Sequence, residues 1–248
     1  MKTFRFGATL AAIAVSLTAF ATVAHAAVFA DFVPQAATAD FRWVQSAAQT
    51  GGSFFSVNSP SATSPQGVAE TFSFLDPSLA TLVNLDTTFT LSATVADGTP
   101  AQSLGPLFSQ PGVNGTFSFI YDGPTGVFGG HSLVQGVTDL LSGTFTGGRI
   151  TGLGHTGSAN LSTLGGTLVY ASDVGTFSGD EEFAFNLLGV TPGFGASAGH
   201  SLDGFVGNGG GNFSAGVPEP SSWALMIGGF AGLGLMLRSR RSARPLAV

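Results

Sequence analysis

Through the middle of the chain, apolar and small polar residues alternate one for one. Val68-Ala-Glu-Thr-Phe-Ser-Phe-Leu75, Thr88-Phe-Thr-Leu-Ser-Ala-Thr-Val95 and Gly115-Thr-Phe-Ser-Phe-Ile-Tyr121 show it most clearly. Leu141–Phe145, Gly166–Ala171 and Glu182–Leu187 repeat it, and Ser158–Ser162 reads as a further strand. A period of two places one face of a strand in a core and the other in water. Asp97-Gly98, Asn114-Gly115, Asp122-Gly123 and Gly147-Gly148 are turn dipeptides between the runs. Ser56–Gly67 reads as a long loop, and the Gly-rich stretch after Gly199 as a flexible linker. Gly-Thr-Phe recurs at Gly115, Gly143 and Gly175, but the intervening segments differ, so it reads as repeated entry into a strand and not as a solenoid. No window between the two ends keeps a helical period. The fold class expected is all-β, an antiparallel β-sandwich or jelly-roll-like body.

The two ends break this pattern. Lys2 and Arg5 precede an apolar run from Ala8 to Val23, and Ala24-His25-Ala26 follows. Basic n-region, short apolar core and small-x-small site together predict a signal peptide over residues 1–26, cut by signal peptidase so that Ala27 leads the mature chain. At the other end Ser221–Leu237 is seventeen residues without a charge, roughly 25 Å as a helix, the short end of the membrane-spanning range. Arg238, Arg240, Arg241 and Arg244 follow at once. A basic cluster beyond an apolar helix stays cytoplasmic and places the body outside, the orientation the signal peptide predicts independently. The two prolines of Val217-Pro218-Glu219-Pro220 stop any preceding structure.

Pro218, Glu219, Pro220, Trp223 and Ala224 supply every fixed letter of a PEPxxWA heptapeptide. With the apolar helix and arginine cluster behind it, the tail resembles a PEP-CTERM sorting signal. That resemblance covers about 25 of the 248 residues. It implies secretory export, transient anchoring in a Gram-negative inner membrane and processing near Pro218–Pro220 by an exosortase. It further implies association with exopolysaccharide and biofilm, and a final place at the cell surface or in the extracellular matrix. The organisation expected is a signal peptide over 1–26, the β body over 27–200, a Gly-rich linker over 201–216, the sorting signal over 217–241 and a cytoplasmic tail over 242–248.

Composition narrows the chemistry. There is no cysteine, which removes disulfides, thiolate metal sites and a thiol nucleophile. Residues 27–216 carry thirteen acids against two arginines, a net −11, so nucleic acid is not an expected partner. Lys2, the one lysine, leaves with the signal peptide, so the body cannot be stapled by Lys–Asn isopeptide bonds. Gly152-Leu-Gly-His-Thr-Gly157 matches G-x-G-x-x-G, but with 37 glycines in the chain such a match arises about once by chance, and no βαβ unit surrounds it. His131, His155 and His200 each sit beside glycine without a spacing that preorganises a metal pair, and read as loop histidines. Asp173, Asp180, Glu181 and Glu182 are the densest acidic group; calcium is the ligand they could take, although the EF-hand pattern is absent. No cofactor and no catalytic residue is assigned. The expectation is an exported, non-enzymatic surface protein. A carbohydrate-binding module is the alternative, and a secreted hydrolase the further one.

Overall fold

A computed structural model describes residues 26–216 apart from 37, 38, 178 and 180. The signal peptide expected over 1–26, apart from Ala26, and the whole of the expected sorting signal, including Pro218–Pro220, Trp223, Ala224 and the arginine cluster, therefore lie outside the described residues. Among those described, no helix is long and apolar enough to cross a membrane.

The strands are β1 Ala26–Pro34, β2 Phe41–Gln45, β3 Gly52–Ser56, β4 Val68–Phe74, β5 Leu85–Val95, β6 Gln102–Leu104 and β7 Leu107–Tyr121. They continue with β8 Gly126–Phe128, β9 His131–Leu133, β10 Asp139–Leu153, β11 Ser158–Ser162, β12 Thr167–Ala171, β13 Glu182–Thr191 and β14 Phe205–Gly216. Every pairing is antiparallel. The all-β, antiparallel character legible in the alternation is the character of the fold. Strands β8 and β9 form a separate hairpin, and the other twelve form one sheet.

That sheet closes on itself. Hydrogen-bonded neighbours run β1–β4–β5–β7–β10–β11–β13–β14 and return to β1. A second path leaves β5 through β3 and β2 and rejoins at β14. The wall between β5 and β14 is thus forked: β4–β1 fills one end of it and β3–β2 the other. Closure removes most exposed edges.

Strand parity explains why these residues close this way. On β5, Leu85, Thr87, Phe89, Leu91, Ala93 and Val95 all point inward and are buried, while Asp86, Ser92 and Thr94 face water. Apolar inside and polar outside is the reverse of a lipid-facing barrel. Phenylalanines from opposite walls fill the interior. Phe32 of β1 lies 5.3 Å from Phe89 of β5, 5.0 Å from Phe119 of β7 and 5.2 Å from Phe185 of β13. Offset and edge-to-face rings of this kind pack a core without a channel.

Three sequence expectations need correction. Residues 205–216 are not linker but the end of the body, as β14, which is bonded to β13 on one edge and to β2 and then β1 on the other. Its glycines are there because neighbours occupy the space a side chain needs. A Cβ on Gly211 would meet the Phe185 ring at 2.5 Å and the Phe32 ring at 2.7 Å. Asn114-Gly115 is not a turn but lies inside the fifteen-residue β7. Gly147-Gly148 likewise lies inside β10, where the register slips between Phe145 and Ile150 and Gly147 takes φ +70°. That is a β-bulge, which bends a long strand without ending it.

Candidate functional site

The residues singled out from sequence are not brought together. Ala26 and Ala27 open β1 and pair with Gly216 and Ala215, so the strand ends adjoining the two terminal segments are partners in one ladder. His131 is on the β8–β9 hairpin, and His155 occupies a tight turn at φ +61° between β10 and β11. That turn is strand-to-strand, so the G-x-G-x-x-G there opens no helix. The backbone of His200 bonds Ser197 and Ala101. Among the described residues no group of three or more His, Asp or Glu could hold a metal ion.

The acidic run serves local structure where it is described. Asp173 accepts the Asp139 amide at 2.8 Å, and Glu181 accepts the Tyr170 amide at 3.0 Å on the outer edge of β12. Asp180 lies outside the described residues. The three aromatic residues that could have stacked on a sugar are buried instead. Trp43 donates its indole N–H to Leu202 O at 2.7 Å, Tyr121 its hydroxyl to Pro124 O at 2.9 Å, and Tyr170 its hydroxyl to Glu182 O at 2.5 Å.

The most unusual chemistry is at the fork. Where β4–β1 and β3–β2 part, backbone groups of β5 and β14 lose ladder partners, and side chains replace them. The Leu91 amide donates to Ser56 Oγ at 2.9 Å on the β5 side. On the β14 side the Asp40 amide donates to Gly207 O at 2.9 Å, which sets the Asp40 side chain at this edge of β14. Glu70 stands beside this seam, paired in the ladder with Pro34, the last residue of β1, and with Thr87. Its parity is that of Val68 and Phe72, so its side chain points inward and is fully buried, with Asp40 almost so. Asp40 Oδ2 and both carboxyl oxygens of Glu70 have no hydrogen-bond partner among the described residues.

Such groups are costly to charge. Burial, reinforced by the neighbouring Asp40 charge, pushes the Glu70 carboxyl up to about 9. Burial also raises Asp40 to about 6, with the Gly209 amide working against the shift. At neutral pH Glu70 therefore carries its proton. Sealed from solvent, the pair cannot meet a substrate, so acid–base catalysis is not what this arrangement can do.

On the outer surface of the same strand, Gly210 floors a groove of about 550 Å³ between β1 and β13. Asp31, Asn186, Asn208 and Asn212 supply its polar groups, and Val33 and Leu188 are exposed on its rim. Sequence reasoning passed over both features. The fork had one readable signal, a Glu on the apolar phase of Val68–Phe74, whereas Asp40 had none. No family model, curated protein or solved structure matches the chain.

Proposed function

We propose that the chain is an exported, non-enzymatic surface or matrix protein: a sandwich-like β body delivered by an N-terminal signal peptide and retained through a C-terminal PEP-CTERM-type signal. The observation that carries this reading is the ordered tail, Pro218-Glu219-Pro220 and Trp223-Ala224, then seventeen uncharged residues, then Arg238, Arg240, Arg241 and Arg244. One feature of the body supports it. Most inward side chains are apolar, while polar ones such as Asp86, Ser92 and Thr94 face outward, which suits a body released into water. The processing partners are signal peptidase and an exosortase, the membrane contact is transient, and the destination is the cell surface or matrix in the company of exopolysaccharide.

The test separates a processing signal from a plain anchor. For an anchor, Pro218-Glu219-Pro220 is dispensable, because the apolar run and the arginines already set insertion and orientation. For a peptidase signal, the two prolines keep the backbone out of helix and open to attack. Replacing the three residues by alanine should leave export and insertion intact while uncut precursor accumulates in the inner-membrane fraction. Processing and release like wild type overturns the proposal.

A second reading, a carbohydrate-binding module, is favoured by one observation, the groove bearing Asp31, Asn186, Asn208 and Asn212. Amide side chains around a backbone floor can hydrogen-bond sugar hydroxyls, although Trp43, Tyr121 and Tyr170 offer no stacking face. Glycan-array binding that is lost in N208A with N212A would promote this reading over the first.

A further inference from the structure

The fork in the wall poses a problem that its side chains answer in an unusual way. Two carboxyl groups share a buried seam with no cation opposite them among the described residues. The ionisable groups on the surrounding elements face elsewhere. Asp31 of β1 lines the outer groove, and Asp86 of β5 is exposed and accepts Gln35 Nε2 at 2.9 Å. Arg42 of β2 reaches outward to Pro60 O and Ala62 O, both at 2.7 Å. β3 and β14 carry no ionisable side chain, and β4 carries none but Glu70. No third His, Asp or Glu among the described residues joins the pair as a metal ligand. A proton is then the compensating charge the residues themselves provide, and a protonated Glu70 supplies the one donor this cluster of orphan acceptors lacks.

We propose that Asp40 and Glu70 form a proton-held latch closing the fork between the β1–β4 and β2–β3 pairs, and that losing the proton to solvent opens the fork. The placement carries the argument. Asp40 is pinned at one apex, its amide donating to Gly207 O at 2.9 Å and its carbonyl accepting the Val57 amide at 2.8 Å, and Glu70 sits in register with Pro34, where β1 ends and the chain turns toward β2. Ionising Glu70 puts two unneutralised carboxylates in an apolar interior, and the seam is where water can reach them with the fewest ladder bonds broken. The raised affinity of both groups for protons agrees with this geometry. The sign follows by linkage. An unfolded Glu gives up its proton near its ordinary value, whereas folded Glu70 keeps it until about pH 9. Between those limits the folded state binds more protons, so stability falls as pH rises.

The full-length chain in detergent micelles, wild type and E70Q, tests the latch by denaturant unfolding and amide hydrogen exchange from pH 6 to pH 9. Wild type should lose up to about tenfold in its folding equilibrium constant per pH unit relative to E70Q, which keeps shape and donor but has no proton to lose. Exchange at Leu91 and Gly209 should rise with pH beyond the intrinsic rate in wild type and not in E70Q. If E70Q does not fold, infrared spectra of wild type decide: a protonated-carboxyl carbonyl band present at neutral pH and lost in alkali supports the latch, and its absence at neutral pH overturns it. Parallel loss of stability in wild type and E70Q also overturns it. So does a stabilisation by millimolar Ca²⁺ at neutral pH that wild type shows and E70Q lacks, since a cation would then hold the pair.

Discussion

Phe213 measures whether the last strand belongs to the body. It is fully buried on β14, with ring centroids of Phe32, Phe72, Phe117, Phe119, Tyr170 and Phe185 between 5.3 and 6.2 Å away. Truncating a buried Phe to Ala costs about 3–5 kcal/mol, part lost transfer energy and part unfilled cavity. Six ring neighbours on β1, β4, β7, β12 and β13 cannot all collapse into the space, which places F213A toward the upper part of that range. For a domain of this size the loss lowers Tm by roughly 6–20 °C. The assay is urea and thermal unfolding of residues 27–216, followed by the β-sheet circular dichroism band. L164A, at a side chain 73% exposed, serves as the control and should stay within about 0.5 kcal/mol of wild type. If F213A also stays within that margin, residues 205–216 contribute nothing to the core, and the placement of β14 is refuted.

Two further outcomes accompany the sorting-motif and latch experiments. Amino-terminal sequencing of the exported form should begin at Ala27, because Ala24 and Ala26 fit the small pockets of signal peptidase; a retained Met1 contradicts this. Gly115→Ala should destabilise the body by about 1–3 kcal/mol in the same denaturation assay, since the new Cβ would lie 2.5 Å from Ala93 Cβ on the paired strand. A neutral result would mean that β5 and β7 do not approach so closely.

The alternation read from β4, β5, β7 and β13 was legible because each of these strands buries only one face, which stamps a period of two on the residues themselves. Glu70 was legible in the same way, as a charge on the buried phase of Val68–Phe74. The proposal for the terminal segments rests on a different kind of reading: charge, apolar length and small residues are properties of a linear segment and need no partner. β14 could not be read so. Its inward positions 207, 209 and 211 are glycine, the composition of a linker, and only the Phe185 and Phe32 rings against Gly211 give them a purpose. Asn114-Gly115 and Gly147-Gly148 carry turn chemistry, yet Gly115 is paired with both Ala93 and Phe145, and Gly147-Gly148 is a bulge that the pairing of Gly148 with Val113 keeps within β10. Asp40 gave no local sign, because its burial depends on β14 far along the chain, where Gly207 O accepts its amide. Period and parity belong to the sequence alone. Closure of the sheet, the fork and the company Asp40 keeps with Glu70 arise only when distant strands meet, since a vacancy in a ladder exists only once the ladder has formed.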